Sequence, residues 1–422
     1  MQIANCKLRI EGESVPQLAG DSTPQFATCN LQFAICNPQP TPVVTVTAHP
    51  RGWNEYLAAH GYAGFHQSPE WSQALSRGLD HPSFFLQATL GKRLVGVLPL
   101  QLVESRLFGR FLVSLPYLNT AGVVADSDTA ATVLADRAIE LADVLDVKHL
   151  ELRHERAVEH PKLVNGVTDK VHMRMPLPST SDELWEGIKA KVRNQIRKAQ
   201  KTDGFSVHWG REELLSEFYD IFCRNMRDLG TPPFSQRLFA EILAAFSHPT
   251  SRRAGGVSPP VSDTSEFDLH AQSTGGLTPP ARQNDEGFAE ICVVRLHGRA
   301  VASGLLVHGP GTTQVPSASS LREFNSSNAN MLLYWNLLTR AIERGQREFD
   351  FGRSTRDGGT YKFKAQWGAT EHPAVWQHYV RHGNAGDMRP SNGKFQMLIQ
   401  IWQRLPVWLT RLIGPAIVRG IP

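Results

Sequence analysis

The sequence predicts an α/β protein made of two related domains. Segments with alternating apolar residues, typical of half-buried strands, are interspersed with segments in which apolar residues recur at helical spacing. The order of these segments in the first half of the chain recurs in the second half, although the halves show no close sequence repeat. At 422 residues and 41% hydrophobic content, the chain is long enough for two cores. We therefore expect two domains in which helices cover sheets.

Local signals define the elements of the first half. Ser68 and Pro69 stand where a helix cap and a first helical turn are expected, and Gly91-Lys92 separates two apolar runs as a hairpin turn does. The predicted order is a strand at 43–48, helices at 53–60 and 69–78, a hairpin over 84–105, strands at 111–118 and 122–125, a helix at 128–147 and a strand at 148–153.

The second half repeats this order. Gly345 marks the end of its last long helix, as a glycine following a helix commonly does. The predicted elements are a strand at 171–177, one long helix at about 181–201, helices at 211–228 and 235–246, strands at 288–296 and 299–308, a helix over 328–345 and a strand at 348–352.

Composition marks the boundaries between these parts. Residues 1–42 are polar and rich in proline, so we expect a disordered leader there. The first domain then covers 43–165 and the second 166–385, interrupted by 251–287, whose Gly, Pro, Ser and Thr content predicts a disordered surface insertion. Residues 386–422 form a basic amphipathic tail, which either lies on a membrane surface or packs as a helical pair on the protein itself.

Composition and motifs also exclude several classes of protein. The five cysteines show no CxxC or CxxH spacing, which argues against a disulfide framework and a zinc site and favours a reducing, cytoplasmic setting. No run of eighteen uncharged apolar residues is present, so contact with the inner face of a membrane would be peripheral. GxSxG, HExxH and P-loop motifs are absent, and we expect no metal. Because the net charge is only +4, any anion site must be a local patch.

One such patch is predicted on the long helix. Lys189, Arg193, Arg197 and Lys201 recur every four residues and therefore share one helical face, and no acidic residue interrupts them. Like charges at this spacing repel by a few tenths of a kcal/mol per pair. A face that is only solvated usually avoids this cost by combining acidic with basic residues. The face is either solvated surface or an anion site, with Arg193 and Arg197 as ligands of nucleotide phosphates or an RNA backbone.

The segment "FDFGRSTRDGGTYKFKAQWGA", residues 349–369, is the most unusual passage of the chain. An apolar strand-like run contains Asp350 and is followed by Arg353, Lys362 and Lys364 in what reads as a loop hinged by two glycines. Charged loops are commonly no more than surface connections. A functional interpretation therefore needs a second observation.

The second observation is a resemblance in seven blocks of the sequence. In the same order, these blocks resemble a branch of the FemAB-like proteins that is linked to exopolysaccharide and PEP-CTERM/exosortase systems. The blocks are "GVLPL", "LFGRFLVSLPYL", "HLELR", "KVRNQIRKAQK", "LGTPPFS", "FDFGRST…GTYKFKAQWGA" and "WQRLPVWLTRLIGP". The resemblance covers 43–418 apart from 251–287. It implies two tandem GNAT-like (N-acetyltransferase-like) domains, which agrees with the doubled α/β order. The best-known members transfer amino acids from aminoacyl-tRNA to an amine on a peptidoglycan precursor.

The resemblance also implies roles for residues of the charged segment. Peptidyltransferase members carry a lysine that is thought to stabilise charge during acyl transfer, and Lys364 in "YKFKAQWG" matches its position. Attack of an amine on an acyl ester builds an oxyanion, and a fixed cation beside it lowers the barrier. Arg353 and Lys362 are candidates for holding a phosphate or an acidic acceptor. Asp350 either acts as a base for the amine or pairs with Arg353 to fix the loop. Tyr361 either binds substrate or packs.

Thr231, in the rigid turn of "LGTPPFS", either lines the acceptor site or belongs to a plain loop between helices. We therefore expect an acyl- or aminoacyltransferase acting on an amine or hydroxyl of a saccharide or cell-envelope precursor. The alternative is a non-catalytic protein that keeps the fold and binds a glycan-lipid or RNA. No tightly bound cofactor is expected, since acyl-CoA or aminoacyl-tRNA would be a donor substrate. A tRNA partner is not favoured, because no second basic tract exists outside the tail.

Overall fold

A computed structural model describes residues 41–60, 65–105, 108–166, 169–247, 287–382 and 393–421. The predicted leader (1–42) and the predicted insertion (251–287) lie outside the described residues, apart from the last residues of each. Residues 41–422 form one compact unit.

The first half alternates strands and helices much as predicted. Its elements are β1 (Val43–Thr47), α1 (Trp53–Ala58), α2 (Pro69–Leu79), β2 (Ser83–Leu90), β3 (Arg93–Ser105), β4 (Gly109–Val113), β5 (Val124–Ala125), α3 (Asp128–Val144), β6 (His149–His154) and β7 (Val164–Asn165). The hairpin of β2 and β3 turns at Gly91, which has a φ of 61° in the left-handed region that suits glycine. The hairpin prediction is confirmed.

The second half contains more elements than its sequence suggested. They are β8 (Lys170–Pro176), α4 (Ser181–Gly187), α5 (Ala190–Gln200), β9 (Phe205–Gly210), α6 (Leu215–Leu229), α7 (Gln236–Ala245), β10 (Phe288–Leu296), β11 (Arg299–His308), β12 (Thr312–Ser320), α8 (Ala329–Glu343), β13 (Glu348–Thr355), α9 (Gly359–Ala365), β14 (Thr370–His372), β15 (Val375–Val380), α10 (Gly393–Arg404) and α11 (Val407–Val418). Strands β9, β12, β14 and β15 were not predicted. The segment after β13, predicted as a loop, contains the short helix α9.

The strands form two mixed sheets flanked by helices, which confirms the predicted fold class. The first sheet has the order β1-β2-β3-β4-β6-β15-β7, with β5 paired to β3, and the second has the order β9-β10-β11-β12-β13-β8-β14. In each sheet an antiparallel run is followed by one parallel pair, β4 with β6 and β12 with β13. Each parallel pair is joined through a helix, α3 or α8, because parallel neighbours need a crossover connection.

The first sheet takes one strand from the second half of the chain. After β7 the chain crosses to the second sheet, where β8 lies between β13 and β14. After β14 it crosses back, and β15 lies between β6 and β7 of the first sheet. Residues 375–380, which the sequence analysis placed within the second domain, therefore complete the first sheet. The strands of the second sheet, by contrast, all come from the second half.

Apolar cores lie on both faces of the second sheet. On one face, Met173 and Phe349 pack with residues of α5 and α8. On the other face, the core contains Phe218 of α6 together with Trp71 of α2, a helix of the first half. The first sheet packs against α3 in a core of its own. Since α2 contributes to a core of the second sheet, the two halves share buried surface as well as the first sheet.

The prediction of one continuous helix over 181–201 is wrong. The backbone is extended at Ile188 and Lys189, with ψ of 150° and 143°, so α4 ends and α5 begins there. Lys189 lies before the first residue of α5 and Lys201 after the last, and the predicted four-residue ladder does not form one helical row.

Arg193 explains why the break is stable. Its Nη1 donates hydrogen bonds to the carbonyls of Trp185 (3.1 Å), Glu186 (3.0 Å) and Ile188 (2.9 Å). The last carbonyls of a helix have no partner within the helix, and a basic side chain can supply one. The guanidinium of Arg197, one turn further on, lies 5.0 Å from the centroid of the Trp185 ring. Both arginines therefore hold α4 against α5.

Replacing Arg193 with glutamine should consequently lower stability. Hydrogen bonds from a charged donor contribute about 1.5–3 kcal/mol, and glutamine is too short to make the same contacts, so we expect a loss of about 2 kcal/mol of unfolding free energy. Urea unfolding measures this loss. Lys198→Gln, at an exposed position of the same helix, is the matched control and should change stability by less than about 0.5 kcal/mol. Equal stability of the two variants would contradict the capping role.

Candidate active site

A β-bulge in β13 turns two charged residues to the same face of the second sheet. Asp350 lies opposite Arg174 of β8, and Arg353 lies opposite His172, with a register shift between the two pairs. His172 and Arg174 are two residues apart on β8 and therefore share a face, so Asp350 and Arg353 share it too, although they are three residues apart. The extra residue of the bulge makes this arrangement possible.

The bulge fits against a loop of the first half. Gly352 has a φ of 74°, and a Cβ at this position would lie 3.0 Å from Nδ2 of Asn119. The loop before Asn119 is itself strained, because Leu115 and Tyr117 have φ values of 49° and 71°. Non-glycine residues in this region are uncommon and cluster at binding and catalytic sites. The surface where the two halves meet at Gly352 is therefore a candidate site.

Asp350 is bound to a histidine of the first half. Its Oδ2 lies 3.4 Å from Nε2 of His66, and its Oδ1 accepts a hydrogen bond of 2.7 Å from the Gly352 amide. Burial would raise the pKa of Asp350, but the bond from His66 and the nearby positive charge hold it well below its usual range. Burial lowers the pKa of His66, so the pair is an ionised carboxylate beside a neutral imidazole. Such a pair can accept one proton.

Lys364 reaches the same bulge from α9. Its ammonium donates hydrogen bonds to the carbonyls of Gly352 (3.1 Å) and Arg353 (3.0 Å). These bonds use two of its three N–H groups. Lys364 is only 8% exposed, and burial lowers the pKa of its ammonium to about 8. The bulge therefore carries a fixed cation whose third N–H can be donated to a ligand.

Arg353 is a charged group of this site that lacks a polar partner among the described residues. Its Cζ lies 4.3 Å from the centroid of the Trp376 ring, and Cζ of Arg153 lies 4.2 Å from the same ring. Arg153 is bound to Glu151 at 2.7 Å, whereas the Arg353 guanidinium has no hydrogen-bond or ion-pair partner within the described part of the chain. Burial lowers the pKa of Arg353 to about 10, so it stays charged at neutral pH. A half-buried, unpaired guanidinium is suited to a carboxylate or phosphate.

His172 adds a neutral polar group on the same face. It is 1% exposed, and among the described residues neither ring nitrogen has a hydrogen-bond partner. Burial lowers its pKa to about 4, so the ring is uncharged at neutral pH. Buried polar groups are rarely left unpaired, and an unpaired one is consistent with a ligand site.

The sequence analysis missed His66, His172 and Trp376. For His172 a signal existed, since "KVHMRMP" alternates apolar with polar residues although both faces of β8 are buried. His66 and Trp376 come from opposite ends of the chain and carried no local signal.

Other predicted site residues lie elsewhere. Arg193 and Arg197 are on α5, which packs on the face of the second sheet opposite to that of Asp350. Lys362 is exposed and two residues from Lys364, so the two side chains cannot share a helical face. Tyr361 packs at the edge of a core and donates a hydrogen bond of 2.6 Å to the exposed Glu371, which supports the packing alternative.

Thr231 lies in the turn that follows α6. Phe234 of the same turn packs against the first-half loop that leads to Asn119, with its ring centroid 4.9 Å from that of Tyr117.

The described residues contain no group of three His, Cys, Asp or Glu side chains that could hold a metal ion. Arg353 and Lys364 are suited to an anion instead, and the arrangement of a proton acceptor, a fixed cation and an anion-binding arginine can serve group transfer to a nucleophile.

Comparison with known proteins supports the fold described above. Residues 280–365, which include Asp350, Arg353 and Lys364, match a family model described as an acetyltransferase (GNAT) domain. The crystal structure of FemX is similar to this chain, with a TM-score of 0.57, 14% sequence identity, and coverage of 85% of this chain and 100% of FemX. The fold is that of FemX.

Two other structures are similar at lower scores. A tandem GNAT protein from the clavulanic acid biosynthesis pathway has a TM-score of 0.44 and 12% identity, covering 80% of this chain and 90% of its own. The C-terminal domain of a putative lysylphosphatidylglycerol synthetase from Agrobacterium fabrum has a TM-score of 0.44 and 11% identity, covering 79% and 93%. No curated protein matches the sequence. The GNAT family match and the FemX-like fold support an acyl- or aminoacyltransferase.

Proposed function

We propose that this protein transfers an acyl or aminoacyl group to an amine or hydroxyl of an anionic saccharide or cell-envelope precursor, in an exopolysaccharide-related process. One observation carries the proposal, namely the bulge at Gly352. It places the His66–Asp350 pair, the unpaired Arg353 and the ammonium of Lys364 together where the two halves meet. The resemblance to the exopolysaccharide-linked branch supports the choice of acceptor.

The reaction assigns one task to each group. The acceptor nitrogen or oxygen attacks the carbonyl carbon of the acyl donor, and its proton passes to the His66–Asp350 pair. The carbonyl oxygen becomes an oxyanion, which the third N–H of Lys364 stabilises. The bond from the carbonyl carbon to the leaving sulfur or oxygen then breaks, and the leaving group takes up the proton held by the His66–Asp350 pair, which returns the pair to its starting state. In this scheme Asp350 orients His66 and stabilises the imidazolium that forms when His66 takes the proton. The sequence left two roles open for Asp350, a base for the amine or a partner of Arg353, and the structure pairs Asp350 with His66.

The donor is acyl-CoA or aminoacyl-tRNA, and we favour a small-molecule donor. Arg193 is engaged in capping α4, so α5 offers fewer cations to a polyanion than the sequence suggested. Salt dependence distinguishes the donors. When a protein contacts n phosphates of single-stranded RNA, the logarithm of its binding constant falls with the logarithm of the salt concentration with a slope near −0.7n. A shallow slope is expected here, and a steep slope with bulk tRNA would favour aminoacyl-tRNA.

The deciding experiment is product formation. The full chain is incubated with acyl-CoA or aminoacyl-tRNA and with candidate phosphorylated saccharide acceptors, and the acceptor is analysed by mass spectrometry. Transfer adds the mass of the acyl group to the acceptor and should disappear in Lys364→Met. Binding of an acceptor without a mass shift, across all donors, would favour the alternative of a glycan-lipid or RNA-binding protein.

Arg353→Gln tests the anionic acceptor. A charged hydrogen-bonding pair contributes about 1.5–3 kcal/mol, so KM for a phosphorylated or carboxylated acceptor should rise about 10- to 100-fold, with a smaller change in kcat. Arg356→Gln is the matched control, because Arg356 is exposed on the same segment and bound to Glu371. An unchanged KM in Arg353→Gln would remove Arg353 from the acceptor site.

A further inference from the structure

The two C-terminal helices expose more large apolar side chains than any other pair of adjacent elements among the described residues. Side chains on α10 and α11 that are more than half exposed are Met397, Leu398, Ile401, Trp408 and Leu412. Met397 and Ile401 are four residues apart and share a face of α10, and Trp408 and Leu412 do the same on α11. Grouped exposed apolar side chains of this kind mark interaction sites. We call these five side chains the apolar face.

The apolar face is the outer side of a helical pair that is anchored on the protein. Trp402, Thr410 and Val418 are buried on the inner side, and both helices contact α6. Val407 packs against the core between α6 and α7. The prediction of a packed helical pair is therefore correct, but packing uses only one side of each helix. Trp408 remains 67% exposed and Leu412 70% exposed.

The charge around the apolar face is entirely positive within the helices. Residues 393–421 contain Lys394, Arg404, Arg411 and Arg419 and no Asp or Glu. Arg404 is exposed. Arg411 and Arg419 pair with Asp220 and Asp80, yet their side chains remain 40% and 46% exposed. A patch that combines exposed tryptophan and aliphatic side chains with arginine is complementary to an anionic lipid surface.

We propose that α10 and α11 dock the protein on the surface of an anionic bilayer, with the apolar face inserted among the headgroups. No helix in the described ranges is long and apolar enough to cross a membrane. A second copy of the chain fits less well, because a symmetric dimer would bring together two copies of a surface whose helices carry basic residues and no acidic ones. The inference is independent of the proposed activity.

Flotation of the full chain with lipid vesicles tests the proposal. The chain should float with vesicles that contain phosphatidylglycerol and much less with pure phosphatidylcholine vesicles. A triple variant, Ile401→Ser/Trp408→Ser/Leu412→Ser, should reduce the bound fraction at least about tenfold, since three inserted apolar side chains are lost. All three positions are exposed, so thermal melting should be unchanged, which circular dichroism checks.

The matched control is Val43→Ser/Val144→Ser/Val164→Ser, which removes three exposed valines outside α10 and α11 and should float like the wild type. Arg404→Glu should weaken binding to anionic vesicles several-fold and leave binding to neutral vesicles unchanged. Equal flotation of the wild type and the Ile401/Trp408/Leu412 variant would overturn the proposal, as would no flotation at all. So would a concentration-dependent dimer in solution that this variant abolishes, because the partner would then be a second copy.

Discussion

Replacing Lys364 with methionine should lower turnover by about 10²- to 10³-fold. This is the scale of losing one donor that stabilises an oxyanion. Methionine has nearly the length of lysine and fills the same space without charge, so the substitution removes the ammonium and leaves the packing of α9 largely intact. The measurement is kcat for the donor and acceptor pair that gives product. Normal turnover in this variant would exclude Lys364 from the chemistry.

The same substitution should also destabilise the protein. The ammonium satisfies two carbonyls of the bulge, and leaving buried acceptors unpaired costs about 1–3 kcal/mol. The sequence alone gave no reason to expect this loss, because it predicted a loop lysine. Lys362→Met on the exposed side of α9 is the matched control and should preserve both stability and turnover. Turnover must be compared at a temperature where both variants are folded.

The pH dependence provides an independent test of Lys364. Because burial lowers its pKa to about 8, the ammonium loses its proton as the pH rises through about 8. If the cation stabilises the oxyanion, wild-type turnover should fall above that pH. In Lys364→Arg the cation persists to higher pH, so the activity that remains should lack this decline. The same alkaline decline in Lys364→Arg would assign it to another group.

Deleting β15 should abolish folding of the chain. Two truncated chains make the comparison, one ending at Pro373 and one ending at His382, which differ only by the segment that carries β15. β15 pairs with β6 over six residues and with β7 on its other side, so the shorter chain loses the strand that joins them. The net free energy of unfolding of a domain is only about 5–15 kcal/mol. We expect the free energy lost with a strand that is paired on both sides to exceed this margin. We expect cooperative melting only in the longer chain.

A point substitution in the full chain tests the same role of β15 with a smaller expected loss of stability. Gln377 lies in the middle of β15, and its side chain is bonded to both backbone groups of Val158, at 2.8 and 3.0 Å. Gln377→Pro removes these bonds and a backbone donor between two paired strands, a loss of about 3 kcal/mol or more. Val43→Pro, at the first residue of the edge strand β1, is the control and should be tolerated. Similar melting of the two proline variants would contradict the role of β15.

The sequence predicted the fold where local patterns decide it. The spacing of apolar residues and the helix-capping residues predicted α2, α3 and the β2–β3 hairpin, because each element has an apolar face that is visible in its sequence. β12 escaped prediction because "TTQVPSASS" is polar and contains Pro316. The structure accommodates this proline where the register with β11 shifts and pairing with β13 has ended, so no ladder bond is lost.

The site could be predicted only in part. Asp350, Arg353 and Lys364 are close in sequence, and their grouping follows from one strand and one short helix. His66 is bound to Asp350 across 284 positions of the chain, a contact that no local period encodes. The role of Arg193 escaped prediction for a related reason. The sequence left open whether the basic row was solvated surface or an anion site, and neither alternative included a side chain that bonds to the carbonyls of the preceding helix.

The late addition of β15 to the first sheet has a consequence for synthesis on the ribosome. When β6 has emerged, its eventual neighbour β15 has not been translated, and more than two hundred residues must follow before it is. Throughout that interval the nascent first sheet ends in an open edge made of "HLELRH", a strand that is buried in the finished protein. Open edges of this kind pair readily with other chains. The yield of folded protein should therefore depend more on how well the nascent chain is protected than on the stability of the finished protein.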